Sequence, residues 1–226
     1  MIQSNFSFIN EEFYAAEVSP QHLDALLAGG WRHFGTFFFR YNINIYQSEL
    51  RRVFPLRINL ANFSFSKSQR KIVRKNRDLQ IVIRPVEITE EKETLFAEHK
   101  QRFENNIPDS LYAFLDFDAS FVPCKALEIC VYENEKLLAA SFFDVGANSI
   151  SSVYAIFEPS ETTRSLGIFT MLLEIEYALE NAKEFYYQGY AYEGNSFYDY
   201  KKRFSGLEKY DWRENWESFQ ERKADF

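Results

Sequence analysis

Nine Lys or Arg residues, and no Asp or Glu, lie between Arg51 and Arg77. The chain carries 26 basic and 33 acidic residues, so outside this segment 17 basic residues face all 33 acids. A segment of such one-sided charge within an acidic remainder is the electrostatic footprint of a phosphate-binding face. Ser66 is placed to cap a helix that begins Lys67-Ser68-Gln69. On that helix Lys67, Lys71 and Lys75 recur every four residues, as do Arg70 and Arg74, while Ile72 and Val73 turn inward. Two parallel cationic ridges result. A solvated face is the commoner explanation of a charge run. Here, however, like charges at each i,i+4 contact cost helix stability, which favours an anionic partner such as nucleic acid.

Arg164, Ser165, Leu166 and Gly167 form a second candidate, where the strand ISSVYAIFEP runs into a helix and free amide groups can hold a donor's phosphates. The acetyl-CoA version of this loop has Arg or Gln, two residues, Gly, one residue, then Gly or Ala. Phe169 takes the last place, and its bulk is expected to crowd a pyrophosphate. A helix start with a convenient glycine explains the same residues equally well. Cys124 and Cys130 have no histidine near them in sequence, and Cys130 lies in an apolar strand, so both read as buried thiols and no metal site is expected. His22, His33 and His99 are scattered, and neither a Gly-x-Ser-x-Gly elbow nor a Gly-x-x-x-x-Gly-Lys-Ser loop occurs.

These groups must be carried by 226 residues that are 46% hydrophobic and 18% aromatic, enough for one large domain or two small ones. No apolar run approaches the roughly 18 residues of a membrane span, and the start MIQSNFSFINEE lacks the features of a signal peptide. A cytoplasmic protein is expected, without a disulfide framework. Ser19-Pro20 opens a helix that Gly29-Gly30 ends, and two strand-like runs follow around a turn near Gln47, Ser48 and Glu49. With the basic helix they make an α+β module over residues 1–78. Over 79–226 the pattern predicts a buried strand from Leu79 to Val86 and a helix capped by Thr89 that runs to about Glu104. A short helical piece at 111–115 and a three-strand meander from Ala126 follow. The remainder reads as a helix from Thr163 to Asn181, the strand EFYYQGYAY, and a helix from Ser196 to Phe204. This order describes the GNAT-like acyltransferase fold, in the α+β class. Trp212, Trp216 and Phe219 have the spacing of one helical face, read as a C-terminal latch.

Three segments together resemble the aminoacyl-tRNA–protein transferases, which place leucine or arginine on protein N-termini. They are HLDALLAGGWRHFGTFFFR (His22 to Arg40), PLRINLANFSFSKSQRKIVRKN (Pro55 to Asn76), and SSVYAIFEPSETTRSLGIFTMLLEIEYA (Ser151 to Ala178) with the following Gly189, Tyr190, Tyr200, Lys201, Arg203 and Phe204. The chain departs from the family in two places. The family's cysteines near the N-terminus and between the positions of Arg40 and Pro55 are absent, and Asn195, Phe197 and Tyr198 replace its cysteine and Lys-Met.

The resemblance implies an aminoacyl-tRNA donor and protein acceptors that begin with an acidic residue. It implies no cofactor and, with those cysteines gone, no metal. An aminoacyl ester is already activated and the attacking N-terminal amine has a pKa of about 7.7 to 8.0, so positioning supplies most of the acceleration. On this reading Lys67, Arg70, Lys71, Arg74 and Lys75 meet tRNA phosphates, and Arg57 assists near the acceptor end. Tyr200, Lys201 and Arg203 are the candidates for the reaction centre, the cations holding the acceptor's carboxylate and the hydroxyl orienting the amine or ester. A monomer is expected. A CoA-dependent N-acetyltransferase and a tRNA-binding module without transfer remain the alternatives.

Overall fold

A computed structural model of the chain describes residues 7–103 and 107–219. The N-terminal elements are β1 (Asn10–Tyr14), α1 (Pro20–Ala28), β2 (Arg32–Phe34), β3 (Phe37–Tyr41), β4 (Ile43–Tyr46), β5 (Glu49–Asn59) and α2 (Lys67–Lys75). They are followed by β6 (Gln80–Pro85), α3 (Glu90–His99), β7 (Ala126–Glu133), β8 (Lys136–Val145), β9 (Ser149–Phe157), α4 (Leu166–Glu180), β10 (Phe185–Tyr192), β11 (Leu207–Tyr210) and β12 (Trp216–Ser218). One sheet of nine strands runs β12-β11-β5-β10-β9-β8-β7-β6, with β4 also on β5, and a smaller sheet runs β1-β3-β2. The antiparallel meander β7-β8-β9, crossed by α4 to a β10 that pairs parallel with β9, gives the α+β, GNAT-like architecture.

Local chemistry sets the element ends. Ser19 accepts from the His22 amide to start α1, with Pro20 at its first position. Ser66 and Gln69 close a reciprocal capping box on α2. Gln47 and Ser48 both take positive φ, 50° and 64°, as a tight hairpin turn from β4 to β5 requires. β8 is buried along nearly its whole length because it serves two cores. Leu138 and Phe143 join a cluster with α4, and Ala140 and Phe142 join another with Leu95 and Phe96 of α3. A third cluster packs Leu23 and Leu27 of α1 on Phe38 and Tyr187.

The structure corrects four expectations. No sheet boundary falls at 78/79: β5 is hydrogen-bonded between β10 and β11, so a strand of the first expected module lies inside the sheet of the second. The strand expected to be buried at Leu79 to Val86 is the edge strand β6, paired with β7 alone and partly exposed along its length. Trp212, Trp216 and Phe219 do not share a helix. Asp211 accepts from the amides of Arg213 and Asn215 and forms a turn, with Trp212 at φ 63° and Trp216 opening β12. The segment expected as a helix from Ser196 to Phe204 is a 3-10 helix over Phe197–Lys202. α3 ends at His99 and passes into a 3-10 turn over Lys100–Arg102, and the expected end at Glu104 lies outside the described residues. Among the described residues no helix is long and apolar enough to cross a membrane.

Candidate functional site

β9 and β10 pair through only three registered positions, from Phe185↔Ser149 to Tyr187↔Ser151. Past that point β9 stays with β8 and β10 stays with β5, and Gln188 is skipped in the β10–β5 register. The sheet parts, and a cavity of about 780 Å³ fills the gap, lined by Ser152, Tyr154 and Phe157 of β9 on one side and Gln188, Gly189 and Tyr190 of β10 on the other. Both amide atoms of Gln188, Nε2 and Oε1, are buried and have no hydrogen-bond partner among the described residues. A buried amide left unpaired costs about 1–3 kcal/mol, so this position calls for a partner, water or a bound group, within the cavity that Gln188 lines.

Two cations reach the same floor. Arg32 of β2 donates from Nη1 to Ser151 Oγ (2.7 Å) and from Nη2 to the Ser152 carbonyl. Lys201 donates from Nζ to the Tyr190 carbonyl (3.4 Å) and lies 5.3 Å from the centre of the Tyr198 ring. Between them stands Gly189, at φ 89°, where an added Cβ would come 3.2 Å from Lys201 Nζ and 3.9 Å from Arg32 Nη2. The missing side chain leaves the space in which the two cations converge. Neither forms an ion pair within 4 Å among the described residues. Burial, reinforced by Arg32, pulls the Lys201 ammonium down to about 7, and burial also lowers Arg32. Asp144 and Glu174 act on Arg32 from beyond 4 Å and offset part of the cost of its burial, whereas Lys201 feels only the like charge of Arg32, so the floor on the Lys201 side attracts an anion.

The walls are aromatic. Phe114 stacks on Tyr154 at 3.9 Å, and Arg102 lies 4.5 Å from the centre of the Phe157 ring. Tyr200 lines the cavity, and burial pushes its hydroxyl up to about 12, so it stays a neutral donor. Glu161 also lines the cavity, but Arg164 Nε holds it at 3.5 Å.

Among the residues singled out from sequence, Tyr200, Lys201, Ser165, Leu166 and Gly167 meet at this cavity. Arg203 does not line it and is exposed beyond the 3-10 turn. Arg164 is engaged by Asp78 (3.0 Å), Glu133 (2.6 Å) and Glu161, and so anchors the loop. Arg57 does not face the cavity. It donates to Glu208 (2.7 Å) and lies between the Phe185 and Trp216 rings, at 3.9 and 4.3 Å, where it clamps the sheet. Phe169 is buried in the core and turned away from the loop, so it crowds no pyrophosphate; the Phe157 ring, 2.8 Å from where a Gly167 Cβ would be, is what closes on the helix start.

The ridge residues Lys67, Arg70, Lys71 and Arg74 are exposed on α2, and no ion pair within 4 Å is formed by them among the described residues. Lys75 donates to the Thr163 carbonyl (2.7 Å) and Asn76 to the Arg164 carbonyl (2.9 Å), which ties the end of α2 to the turn at the cavity rim. Arg32, Arg102 and Gln188 were missed from sequence. Their only signals were an arginine in an aromatic stretch, a basic residue following an acidic helix, and one amide in the strand FYYQGYAY.

One group of described residues could hold a metal ion: His33, Cys124 and Asp144, all buried, with candidate ligand atoms within 4.8 Å of one another. His33 bonds the Gly35 carbonyl through Nδ1 (2.9 Å) and Asp144 through Nε2 (3.0 Å). Burial beside Asp144 pushes the Cys124 thiol up, so the trio serves as a hydrogen-bonded clamp between β2 and β8.

Comparison with known proteins agrees with this architecture. Residues 3–71 match the family described as arginine-tRNA-protein transferase, N terminus, and residues 88–211 match its C terminus. The aspartate/glutamate leucyltransferase of Xanthomonas euvesicatoria is 32% identical over 172 residues, covering 72% of this chain and 68% of that protein. The protein of the same name from Leptospira interrogans is 27% identical over 225 residues, covering 94% of this chain and 86% of that protein. In fold, the crystal structure of FemX superposes with a TM-score of 0.52 at 11% identity, covering 88% of this chain and 69% of that one. With both of the family's halves matched in order along one chain, this protein belongs to the arginine-tRNA-protein transferase family and is an aminoacyltransferase.

Proposed function

We propose that this protein transfers leucine from leucyl-tRNA to the N-terminal amine of polypeptides that begin with Asp or Glu. The observation that carries the reading is the cavity floor, where Arg32 and Lys201 converge beside Gly189 and neither is ion-paired within 4 Å among the described residues. Asp144 and Glu174 act on Arg32 but no carboxylate acts on Lys201, and an acidic acceptor side chain supplies that charge. The name of the relatives, aspartate/glutamate leucyltransferase, supports the same acceptor and donor. The cavity walls favour leucine over arginine: Phe34, Phe39, Phe157, Ile168 and Met171 offer apolar contact, and the acid at the rim, Glu161, is already engaged.

In the reaction the acceptor's amine nitrogen attacks the ester carbonyl carbon. The C–O bond to the terminal ribose then breaks, and the ribose oxygen leaves with a proton. Arg32 holds the acceptor's carboxylate in this scheme. Lys201, drawn down to about 7 by burial, takes the proton that the ammonium must lose before it can attack. The Gln188 Nε2–H group donates to the carbonyl oxygen as charge develops there. Lys67, Arg70, Lys71, Arg74 and Lys75 hold tRNA phosphates, and α2, tied to the rim at Thr163 and Arg164, brings the charged end to the cavity. The protein acts as a monomer in the cytoplasm, beside the charged tRNA pool.

The test is transfer of labelled leucine or arginine from the corresponding tRNA to peptides that begin Asp, Glu, Asn or Gln. Leucine on the two acids is expected. Transfer of arginine alone, or equal use of all four peptides, would overturn the reading.

A further inference from the structure

Residues 107–122, IPDSLYAFLDFDASFV, contain three Asp and no Lys or Arg, and they display aromatic side chains to solvent. Phe117 is 87% exposed, Phe121 68% and Tyr112 42%, whereas Leu111, Leu115 and Ala119 are buried in the α3 core cluster. Large aromatic side chains held outward together mark an interaction site on a soluble protein. The buried residues recur every four positions and pin the loop down, so the exposed rings stand on a fixed base. Ser110 Oγ donates to Glu93 (2.6 Å) and Lys100 Nζ to the Asp109 carbonyl (2.9 Å), which fastens the loop's start to α3 and the turn after it.

This surface is continuous with the cavity. Phe114, between Tyr112 and Phe117, lines the cavity and meets Phe34, another lining residue, at 5.1 Å. Tyr112 stacks on Phe117 at 4.6 Å, and the Gly35 amide donates to the Phe114 carbonyl (3.0 Å). The turn to which α2 is tied at Thr163 and Arg164 contributes Thr162, Ser165, Leu166 and Gly167 to the cavity lining, and none of these belongs to the 107–122 loop. An acidic, aromatic face repels phosphates, so the tRNA is not its occupant.

We propose that this face docks the acceptor polypeptide downstream of its N-terminal residue, and that it selects apolar and basic side chains at the next few positions. This rests on the proposed transfer to N-terminal amines: an acceptor whose amine is on the cavity floor must leave across the rim, and the aromatic face continues that path. Extended, unfolded segments supply such side chains, so the surface favours acceptors whose N-terminal stretch is unstructured.

The experiment compares wild type with Phe117→Ser, whose side chain is too exposed for its loss to disturb folding. Three peptides are used: Asp followed by Leu, Phe and Lys residues, Asp followed by Gly and Ser, and Asp followed by Glu residues. For wild type the first peptide should show the lowest KM and the third the highest. Phe117→Ser should raise KM for the first about five-fold, the loss of one aromatic anchor, and leave both kcat and the Gly/Ser peptide unchanged. Equal KM values for the three peptides would overturn the docking face while leaving the transfer reaction standing. So would a wild-type dimer that Phe117→Ser converts to monomer without altering any KM, since the face would then join two copies of the chain. Fluorescence anisotropy of the labelled peptides reads the same preference as direct binding, so the surface is tested even where transfer itself is absent.

Discussion

Arg32 is fixed by Ser151 and the Ser152 backbone before any substrate arrives, so its guanidinium meets a carboxylate without first having to be ordered. Removing it should cost about 2–5 kcal/mol toward acidic acceptors, because their carboxylate is left desolvated and unpaired. We therefore expect Arg32→Gln to lose the preference for Asp and Glu over Asn and Gln, with tRNA affinity unchanged. Arg203→Gln, outside the cavity, should keep that preference; peptide competition read as kcat/KM separates the two variants. Lys201 gives a second prediction. Its ammonium, held near 7, is the acid form that blocks proton acceptance, so kcat/KM should rise with pH through about 7, below the acceptor amine's own step near 8. Lys201→Gln should remove the lower step and leave the upper. Glu174 tests stability in the opposite sense. Burial raises its carboxyl to about 7 from a usual 4.5, against the hydrogen bond that Tyr186 donates to it (2.7 Å). The folded state then holds a proton that the unfolded chain has released between those values, so Glu174 destabilises increasingly as pH rises from 4.5 to 7. Glu174→Gln should raise Tm at pH 8, by the equivalent of ~3 kcal/mol, and have little effect at pH 4.

At the scale of elements, α2 and β5 divide the basic segment between two jobs. If α2 holds tRNA as proposed, each phosphate contact contributes roughly 0.7 to 0.9 to the slope of log affinity against log salt, so Lys71→Ala with Arg74→Ala should flatten it by about 1.5. Arg57→Ala on β5 should leave that slope alone and lower Tm instead, since a charged hydrogen bond to Glu208 worth about 1.5–3 kcal/mol is lost. The sequence separated these roles poorly, because charge count does not show which arginine has an acid across the strand. It did show the caps of α1 and α2 and the β7-β8-β9 meander, all of which are written in residues close together along the chain. The candidate site was legible only in part. Lys201 and Tyr200 stood in a recognisable motif, but Arg32 and Gln188 line the cavity because two strands part far downstream of one and beside the other, and nothing local encodes that. Trp212, Trp216 and Phe219 misled because their spacing fits a helix, while Asp211 and Asn215 on either side of Trp212 favour a turn.

For the whole molecule, β5 makes the two matched halves one structural unit. Leu56 is registered with Gly189 on one side and with Lys209 on the other. Expressed separately, residues 1–78 and 79–226 should therefore each fail to unfold cooperatively, as read by calorimetry, and mixing them should restore no more than weak activity. The same placement orders events on the ribosome. β5 emerges early and pairs at its start with β4, but it cannot gain β10 or β11 until more than 100 further residues have been made, so the rest of its edges wait through most of synthesis. A chain released before residue 185 has made the cationic helix but not the cavity floor. On the proposed reading such a product would hold charged tRNA on its cationic helix with no site to receive the amino acid, so truncated chains should inhibit transfer by the intact protein.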